Sequence, residues 1–241
     1  MSADSQQIAG RVASVRERMA RAAARAGRDP AAVRLVAVTK TQPAAAVAAA
    51  VDAGVTDIGE NRVQEAIAKF AELGWAGARA ATVRRHLIGH LQTNKAKPAV
   101  QHFDMIHSVD SARLALELNR HAAAAGIIRD ILVEVNVSGE QTKFGLTPEA
   151  VPDLLAQIAS SCPALRVQGF MTMAPFEVQP EATRPVFARL RELASEWRTD
   201  AAARGWHVGG ELSMGMTNDF EVAIEEGATL VRIGTAIFGA R

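Results

Sequence analysis

Tyrosine is absent from this chain of 241 residues, and cysteine occurs only once. The lack of tyrosine excludes any mechanism in which a tyrosine serves as acid or base. Because Cys162 is the single cysteine, no intramolecular disulfide can form, which fits a reducing compartment such as the cytoplasm. No basic cluster lies beside Cys162 in the sequence, so we interpret it as a structural residue.

Long apolar runs and an excess of one charge are also missing. No segment has about 18 uninterrupted apolar residues, so the sequence predicts no membrane span. Lysine and arginine total 27, aspartate and glutamate total 26, and the formal net charge is +1. A balance so close to neutral gives no general attraction for nucleic acid or an anionic membrane. We therefore predict neither as a partner.

Motifs for metal binding are missing as well. The sequence contains no HExxH motif, and Cys162 has no second cysteine with which to share a metal ion. His86 and His90 flank a segment that reads as a strand followed by a turn. They would not share one face of a helix, so we predict no metal site.

What the sequence does contain is a regular alternation of apolar strands and helical segments. Eight such units in a chain of this length favour a closed (β/α)8 barrel, the TIM barrel. An open doubly wound sheet is the alternative, but no G-x-G-x-x-G turn follows the first strand. The predicted strands are 35–40, 56–61, 84–89, 105–110, 131–137, 166–173, 211–216 and 230–235.

The chain shows no internal boundary. No linker rich in proline, glycine or serine divides it, so we expect a single α/β domain over residues 1–241. Residues 1–30 form an additional N-terminal helix and turn, which we expect to pack on the barrel. The apolar positions on one face of this helix are Ile8, Val12, Val15 and Met19.

Lys40 is the first candidate for chemistry, because it ends the apolar strand LVAVTK. Ligands of barrels bind at the carboxyl ends of the strands. A lysine that is partly withdrawn from water there has a lowered pKa, and its neutral amine can form a Schiff base with a carbonyl. Alternatively, its stem lies along the barrel rim while the ammonium group reaches water. Periodicity alone leaves both interpretations open.

The last two predicted strands are followed by small residues that could bind phosphate. Loops after strands 7 and 8 are the usual phosphate site of such barrels. Here they contain Ser213 and Gly215, then Gly234 and Thr235, and residues 217–220 open a helix whose N-terminus favours negative charge. The glycines are equally compatible with tight turns that have no ligand.

Arg232 lies two residues before Gly234, so both face the same side of the last strand. An inward arginine in the apolar run ATLVRIGTAIFG requires an acceptor. A structural ion pair would satisfy it, and so would a ring nitrogen of a cofactor.

Several segments match the motifs of one known family. The two most specific are GENRVQE at 59–65 and LSMGMTNDFEVAIEEGATLVRIGTAIFG at 212–239. Through these motifs the chain resembles the pyridoxal phosphate homeostasis proteins from residue 35 to residue 241. The other matching segments are LVAVTKTQP, RHLIGHLQTNK, HSVDS, EVNVSGEQTKFGL and GFMTMAP.

The resemblance implies a barrel similar to the N-terminal domain of alanine racemases, with pyridoxal 5′-phosphate (PLP) as cofactor. It implies that Lys40 carries PLP covalently as a Schiff base and that Arg232 faces the pyridine nitrogen. It also implies that Lys143 takes part in exchange of vitamin B6 forms. The other residues implied to contact PLP are Asn61 and His86 at the wall, Ser213, Gly234 and Thr235 at the phosphate, Gly215 through its backbone, and Met214 nearby.

The function implied by the resemblance is that of a cytoplasmic, monomeric PLP carrier. Such a protein binds and buffers PLP and delivers it to apo forms of PLP-dependent enzymes, without strong catalytic turnover. A single-domain amino-acid racemase is the alternative, but racemisation needs an acid and a base on opposite faces of the substrate carbon. In alanine racemases one of these is a tyrosine from a second domain, and this chain has no tyrosine. A third possibility is a barrel that binds another phosphorylated metabolite, with Lys40 as an ion-pair donor.

Overall fold

The computed structural model describes residues 3–74, 82–140 and 142–239. The strands form one closed barrel, in which each strand pairs in parallel with the next and the last pairs with the first. This architecture confirms the predicted (β/α)8 barrel. The strands are β1 (Arg34–Val38), β2 (Asp57–Glu60), β3 (Arg84–Leu87), β4 (Met105–Val109), β5 (Arg129–Glu134), β6 (Leu165–Met171), β7 (Glu211–Ser213) and β8 (Leu230–Ile233).

A helix precedes the barrel, and one helix follows each strand. The helix after β3 is short, contains Pro98 and buries only Ala96, Ala99 and Val100. The helices are α1 (Ala3–Arg25), α2 (Ala44–Asp52), α3 (Val63–Glu72), α4 (Ala96–His102), α5 (Ala112–Ala124), α6 (Val151–Ser161), α7 (Arg184–Ala203), α8 (Phe220–Glu225) and α9 (Thr235–Phe238).

Apolar side chains pack in two separate layers, because successive residues of a strand point to opposite faces. One layer lies between the strands and the surrounding helices and includes Leu35 and Ala37 of β1. Val36, between them, belongs to a second, smaller cluster of buried residues. This alternation fits a barrel whose lumen is filled by side chains rather than open. The members of the smaller cluster are Val36, Met105, Leu132, Met171 and Leu230.

Helix α1 packs against the outside of the barrel through the apolar face predicted for it. Arg18 Nε lies 2.6 Å from Glu221 Oε1, and Arg25 Nε lies 2.7 Å from Glu225 Oε1, which connects α1 to α8. Because these ion pairs are partly exposed, burial of the apolar face contributes most to the attachment. The buried residues of that face are Ile8, Val12, Val15 and Met19.

The strands that carry the candidate residues end earlier than predicted. β1 ends at Val38 and β8 ends at Ile233, so Lys40 and Gly234 lie just beyond the strands. They stand on the loops at the carboxyl ends of the barrel strands, where barrels bind their ligands.

None of the helices within 3–74, 82–140 and 142–239 has the length and apolarity that crossing a bilayer requires. Within these same ranges, no group of three histidine, cysteine, aspartate or glutamate side chains is placed to hold a metal ion. Cys162 is buried, and burial raises the pKa of its thiol, as expected of a packing residue.

Candidate functional site

A cavity of about 280 Å³ lies at the carboxyl ends of the strands. It is lined by residues that are far apart in the sequence and that the closure of β8 onto β1 brings together. Met216, Thr217 and Asn218, which follow β7, also line it. The predicted ligand contacts found in the lining are Lys40, Asn61, Arg232, Gly234 and Thr235.

Lys40 stands in a sharp turn directly after β1, and its side chain is partly buried. The Thr39 N–H donates to the Gly59 carbonyl at 2.9 Å and keeps the chain beside β2. Thr41 has a φ of 61°, in the left-handed region that β-branched residues rarely adopt. Its N–H donates to the Glu65 carboxylate of α3. The backbone is therefore held on both sides of Lys40.

A buried ion pair contacts the residue before this turn. Lys69 Nζ of α3 donates to the Thr39 carbonyl at 2.6 Å and to Glu60 Oε1 at 2.6 Å. The Thr39 hydroxyl donates to the same Glu60 oxygen at 2.7 Å. We call Lys69, Glu60 and Thr39 the buried clamp. It ties the residue before Lys40 to both β2 and α3.

The buried clamp was not predicted from the sequence, although a signal was present. Lys69 lies on the apolar face of α3 beside Ala66 and Phe70, and its side chain is buried with them. A lysine on such a face needs a buried carboxylate, and Glu60 is the nearby candidate in the GENRVQE motif.

Arg232 brings a positive charge to the inner wall of the cavity. Its Nη1 donates to the Ser213 hydroxyl at 2.6 Å, and its Nη2 donates to the Thr172 carbonyl at 3.0 Å. Both of these partners are neutral. Burial lowers the pKa of Arg232 to about 10, while the carboxylates of Glu134 and Asp219 act in the opposite direction. The guanidinium therefore remains cationic at neutral pH.

Glu134, the last residue of β5, is a buried carboxyl near Arg232. Its Oε2 atom has no hydrogen-bond partner among the described residues. Burial raises the pKa of Glu134 to about 7, and the charge of Asp110 adds to this, whereas Arg232 opposes it. Glu134 thus titrates near neutral pH beside the cavity.

Ser213 and Met214, which the resemblance implies at the PLP site, do not belong to the cavity lining. Ser213 is the last residue of β7, and its buried hydroxyl contacts Arg232 and His107 rather than lining the cavity. Met214, the next residue, points to the opposite face and is buried in the layer under the helices. Thr217 and Met216 take their places in the cavity wall, which was not predicted.

Gly215 shapes the turn after β7 without lining the cavity. Its φ is +89°, and a Cβ atom there would lie 2.5 Å from the Cβ of Ala223 in α8. Its carbonyl accepts a hydrogen bond from the Arg232 N–H at 3.0 Å. The close approach of α8 to this turn therefore requires glycine at this position.

His86 is another residue that the resemblance implies at the PLP site. Its ring is fully buried among the strands, with Nε2 at 2.9 Å from Asp57 Oδ1 and Nδ1 at 2.8 Å from His107 Nε2. It does not line the cavity. These contacts with residues of β4 and β2 place the His86 side chain in the barrel interior.

Lys143 lies near the cavity but is not part of its wall. Its Nζ is 3.2 Å from Glu140 Oε1 and 3.4 Å from the carbonyl of Met173, a residue that lines the cavity. A role of Lys143 in vitamer exchange stays a prediction.

Comparisons with known proteins agree with this arrangement. The family described as alanine racemase, N-terminal domain, matches residues 11–241. The pyridoxal phosphate homeostasis protein of Pseudomonas aeruginosa is 44% identical over 234 residues, covering 97% of this chain and 96% of that protein. The chain belongs to the pyridoxal phosphate homeostasis protein family. A member from Aquifex aeolicus is 42% identical, covering 96% of this chain and 97% of its own length.

Solved structures show the same barrel. PipY of Synechococcus elongatus with PLP bound superposes with a TM-score of 0.81 at 39% identity, covering 96% of this chain and all of PipY. D-threonine aldolase from Filomicrobium marinum superposes with a TM-score of 0.74 at 17% identity, which shows a likeness of fold alone. Alanine racemase of Clostridium difficile superposes with a TM-score of 0.63, also at 17% identity. The predicted likeness to the alanine racemase barrel is confirmed.

Replacing Lys69 with methionine should strongly destabilise the fold. Lys69→Met removes the partner of a buried carboxylate, and we expect a loss of about 3–5 kcal/mol in the free energy of unfolding. Urea denaturation measures this loss. Lys97→Met, on the exposed side of α4, is the matched control and should change stability by less than about 0.5 kcal/mol. Equal stability of the two variants would show that the buried clamp contributes nothing.

Glu134 should make stability depend on pH. Because its pKa is raised from 4.5 to about 7 on folding, its contribution is complete below pH 4.5 and is lost as the pH rises through 7. The loss is on the order of 3 kcal/mol. Urea denaturation between pH 4.5 and 8 should show this decrease for the wild type relative to Glu134→Gln. Glu192→Gln, on the exposed face of α7, should follow the wild-type profile.

Proposed function

We propose that this protein binds PLP in the cavity, holds it covalently through Lys40 Nζ, and stores and delivers it rather than turning over a substrate. One observation carries the proposal: Lys40 and Arg232 line the same cavity. Thr217 and Thr235 line it with them. When bound, PLP supplies an aldehyde that condenses reversibly with a primary amine.

The side chains around the cavity fit the chemical groups of PLP. Lys40 offers a primary amine for the aldehyde, and Arg232 offers a cation for the pyridine nitrogen. Thr217 and Thr235 offer hydroxyl donors for the phosphate. Gly234 keeps this wall close to β1, because a Cβ atom there would lie 3.3 Å from the Cβ and the carbonyl of Val38.

The relatives support the same ligand. The Pseudomonas aeruginosa and Aquifex aeolicus proteins are named pyridoxal phosphate homeostasis proteins, and PipY has been solved with PLP bound. All three match this chain over nearly its whole length. The shared barrel and the identity of 39% to 44% over nearly the whole chain make the same ligand the simplest assignment here.

Arg232 favours storage over catalysis. A guanidinium stays protonated, so it donates a hydrogen bond to the pyridine nitrogen without transferring its proton. A pyridine that stays unprotonated is a weak electron sink, which disfavours reactions through a carbanion on the substrate. Racemisation would also need a second acid or base opposite Lys40, and tyrosine is not available for that role.

The covalent attachment can be tested with borohydride. Treating the purified, PLP-loaded protein should fix the cofactor on Lys40, giving a protein mass increased by that of the reduced cofactor and a change in visible absorbance. Lys40→Ala should show no mass increase, whereas Lys97→Ala should behave as wild type. An adduct retained by Lys40→Ala, or absent from the wild type, would contradict the assignment of Lys40.

Delivery can be tested by mixing the PLP-loaded protein with the apo form of a PLP-dependent enzyme. We expect activity to recover faster than the loaded protein alone releases PLP into buffer. If Lys143 assists exchange, Lys143→Ala should recover activity more slowly than Lys97→Ala. Recovery that only follows spontaneous release would count against a delivery function, while leaving PLP binding intact.

A further inference from the structure

A continuous chain of buried side chains connects the cavity to the opposite end of the barrel. Arg232 Nη1 lies 2.6 Å from Ser213 Oγ, and Ser213 Oγ lies 2.9 Å from His107 Nδ1. His107 Nε2 lies 2.8 Å from His86 Nδ1, and His86 Nε2 lies 2.9 Å from Asp57 Oδ1. We call these five residues the barrel relay.

The barrel relay spans the barrel along its length and across its lumen. Asp57 is the first residue of β2, at the end opposite the cavity, whereas Ser213 is the last residue of β7. The contact between His107 of β4 and Ser213 of β7 joins strands that are not neighbours. His86, His107 and Ser213 are completely buried, so no solvent interrupts the chain.

The two ends of the barrel relay determine the direction of every hydrogen bond in it. Arg232 can only donate, and an ionised Asp57 can only accept. His86 must then donate through Nε2 and, as a neutral ring, accept at Nδ1. His107 accordingly donates from Nε2 and accepts at Nδ1. The hydroxyl of Ser213 donates to His107 and receives the bond from Arg232.

The charge states required for this pattern agree with the surroundings. Burial alone would raise the pKa of Asp57, but hydrogen bonds from His86 and Thr56 and the charge of Arg34 lower it below its usual value. Burial lowers the pKa of His86, although Asp57 opposes this, and it lowers the pKa of His107 well below the usual value. At neutral pH the carboxylate is therefore ionised and both rings are neutral.

We propose that Asp57 is a positioning residue for Arg232, acting through the fixed tautomers of His86 and His107. By this route, a carboxylate at the far end of the barrel makes the Ser213 hydroxyl present a lone pair to the guanidinium. With Nη1 held by Ser213 and Nη2 by Thr172, Arg232 keeps one orientation at the cavity wall. If the tautomers reversed, the Ser213 hydroxyl would lose His107 as its acceptor.

The hydrogen-bond directions in the barrel relay can be tested without any ligand. The outcome of this test therefore does not depend on the proposed PLP function. Protein labelled with ¹⁵N in histidine and arginine would be measured by NMR at pH 7, with signals of the two rings assigned through His86→Gln and His107→Gln. We expect both rings to be neutral, with the proton on Nε2. A proton on Nδ1 of His107, or a doubly protonated ring, would overturn the inference directly.

The long-range effect is tested with Asp57→Asn. This variant should change the tautomer of His107 and speed hydrogen exchange of the Arg232 guanidinium by about tenfold, as expected when a hydrogen bond to a charged group is weakened. Asp104→Asn is the matched control, because Asp104 is a carboxylate at the same end of the barrel that is bound by Arg85 instead. If the Arg232 guanidinium exchanges hydrogen as slowly in Asp57→Asn as it does in Asp104→Asn, Asp57 is not a positioning residue.

A second variant keeps the test decisive should Asp57→Asn fail to fold. Ser213→Ala cuts the barrel relay between His107 and Arg232 and does not touch Asp57. It should speed guanidinium exchange by about tenfold and leave the proton of His86 on Nε2. Unchanged exchange in Ser213→Ala would show that Ser213 does not hold Arg232, and the inference would fail.

Discussion

A positive charge enclosed by the barrel is the constraint on which the rest of the site depends. A buried cation costs several kcal/mol unless hydrogen bonds and opposite charges compensate it. For Arg232 the compensation comes from Ser213 and Thr172 through hydrogen bonds and from Glu134 and Asp219 through their charge. A closed barrel can supply such partners because its lumen is filled by inward side chains from every strand.

Arg232 and Lys40, both basic residues of the cavity wall, are positioned by different means. Arg232 is held by hydrogen bonds to its side chain, and the barrel relay connects this side chain to Asp57. Lys40 is positioned through the backbone, because the buried clamp and Glu65 fix the residues on either side of it. The first arrangement leaves a guanidinium with one orientation. The second places the lysine just beyond the end of a strand, at the cavity wall.

The same barrel makes up the whole of some proteins and only a part of others. It matches the whole of PipY but only 60% of D-threonine aldolase. In the present protein, the cavity wall includes the exposed residues Met173 and Phe176. This part of the wall is apolar and reaches the solvent.

The sequence by itself indicated the barrel and the two basic residues of its cavity. Apolar runs separated by helical segments favoured eight parallel strands, and Lys40 and Arg232 lay at or near the predicted strand ends. The tertiary structure decided which residues after β7 reach the cavity, because that depends on the strand ending at Ser213 rather than at Met216. It also decided the contacts of Ser213 and His86, whose partners lie on other strands and become neighbours only when the barrel closes. A sequence shows which side chains are polar, but it does not show which of them a closed sheet places within hydrogen-bonding distance.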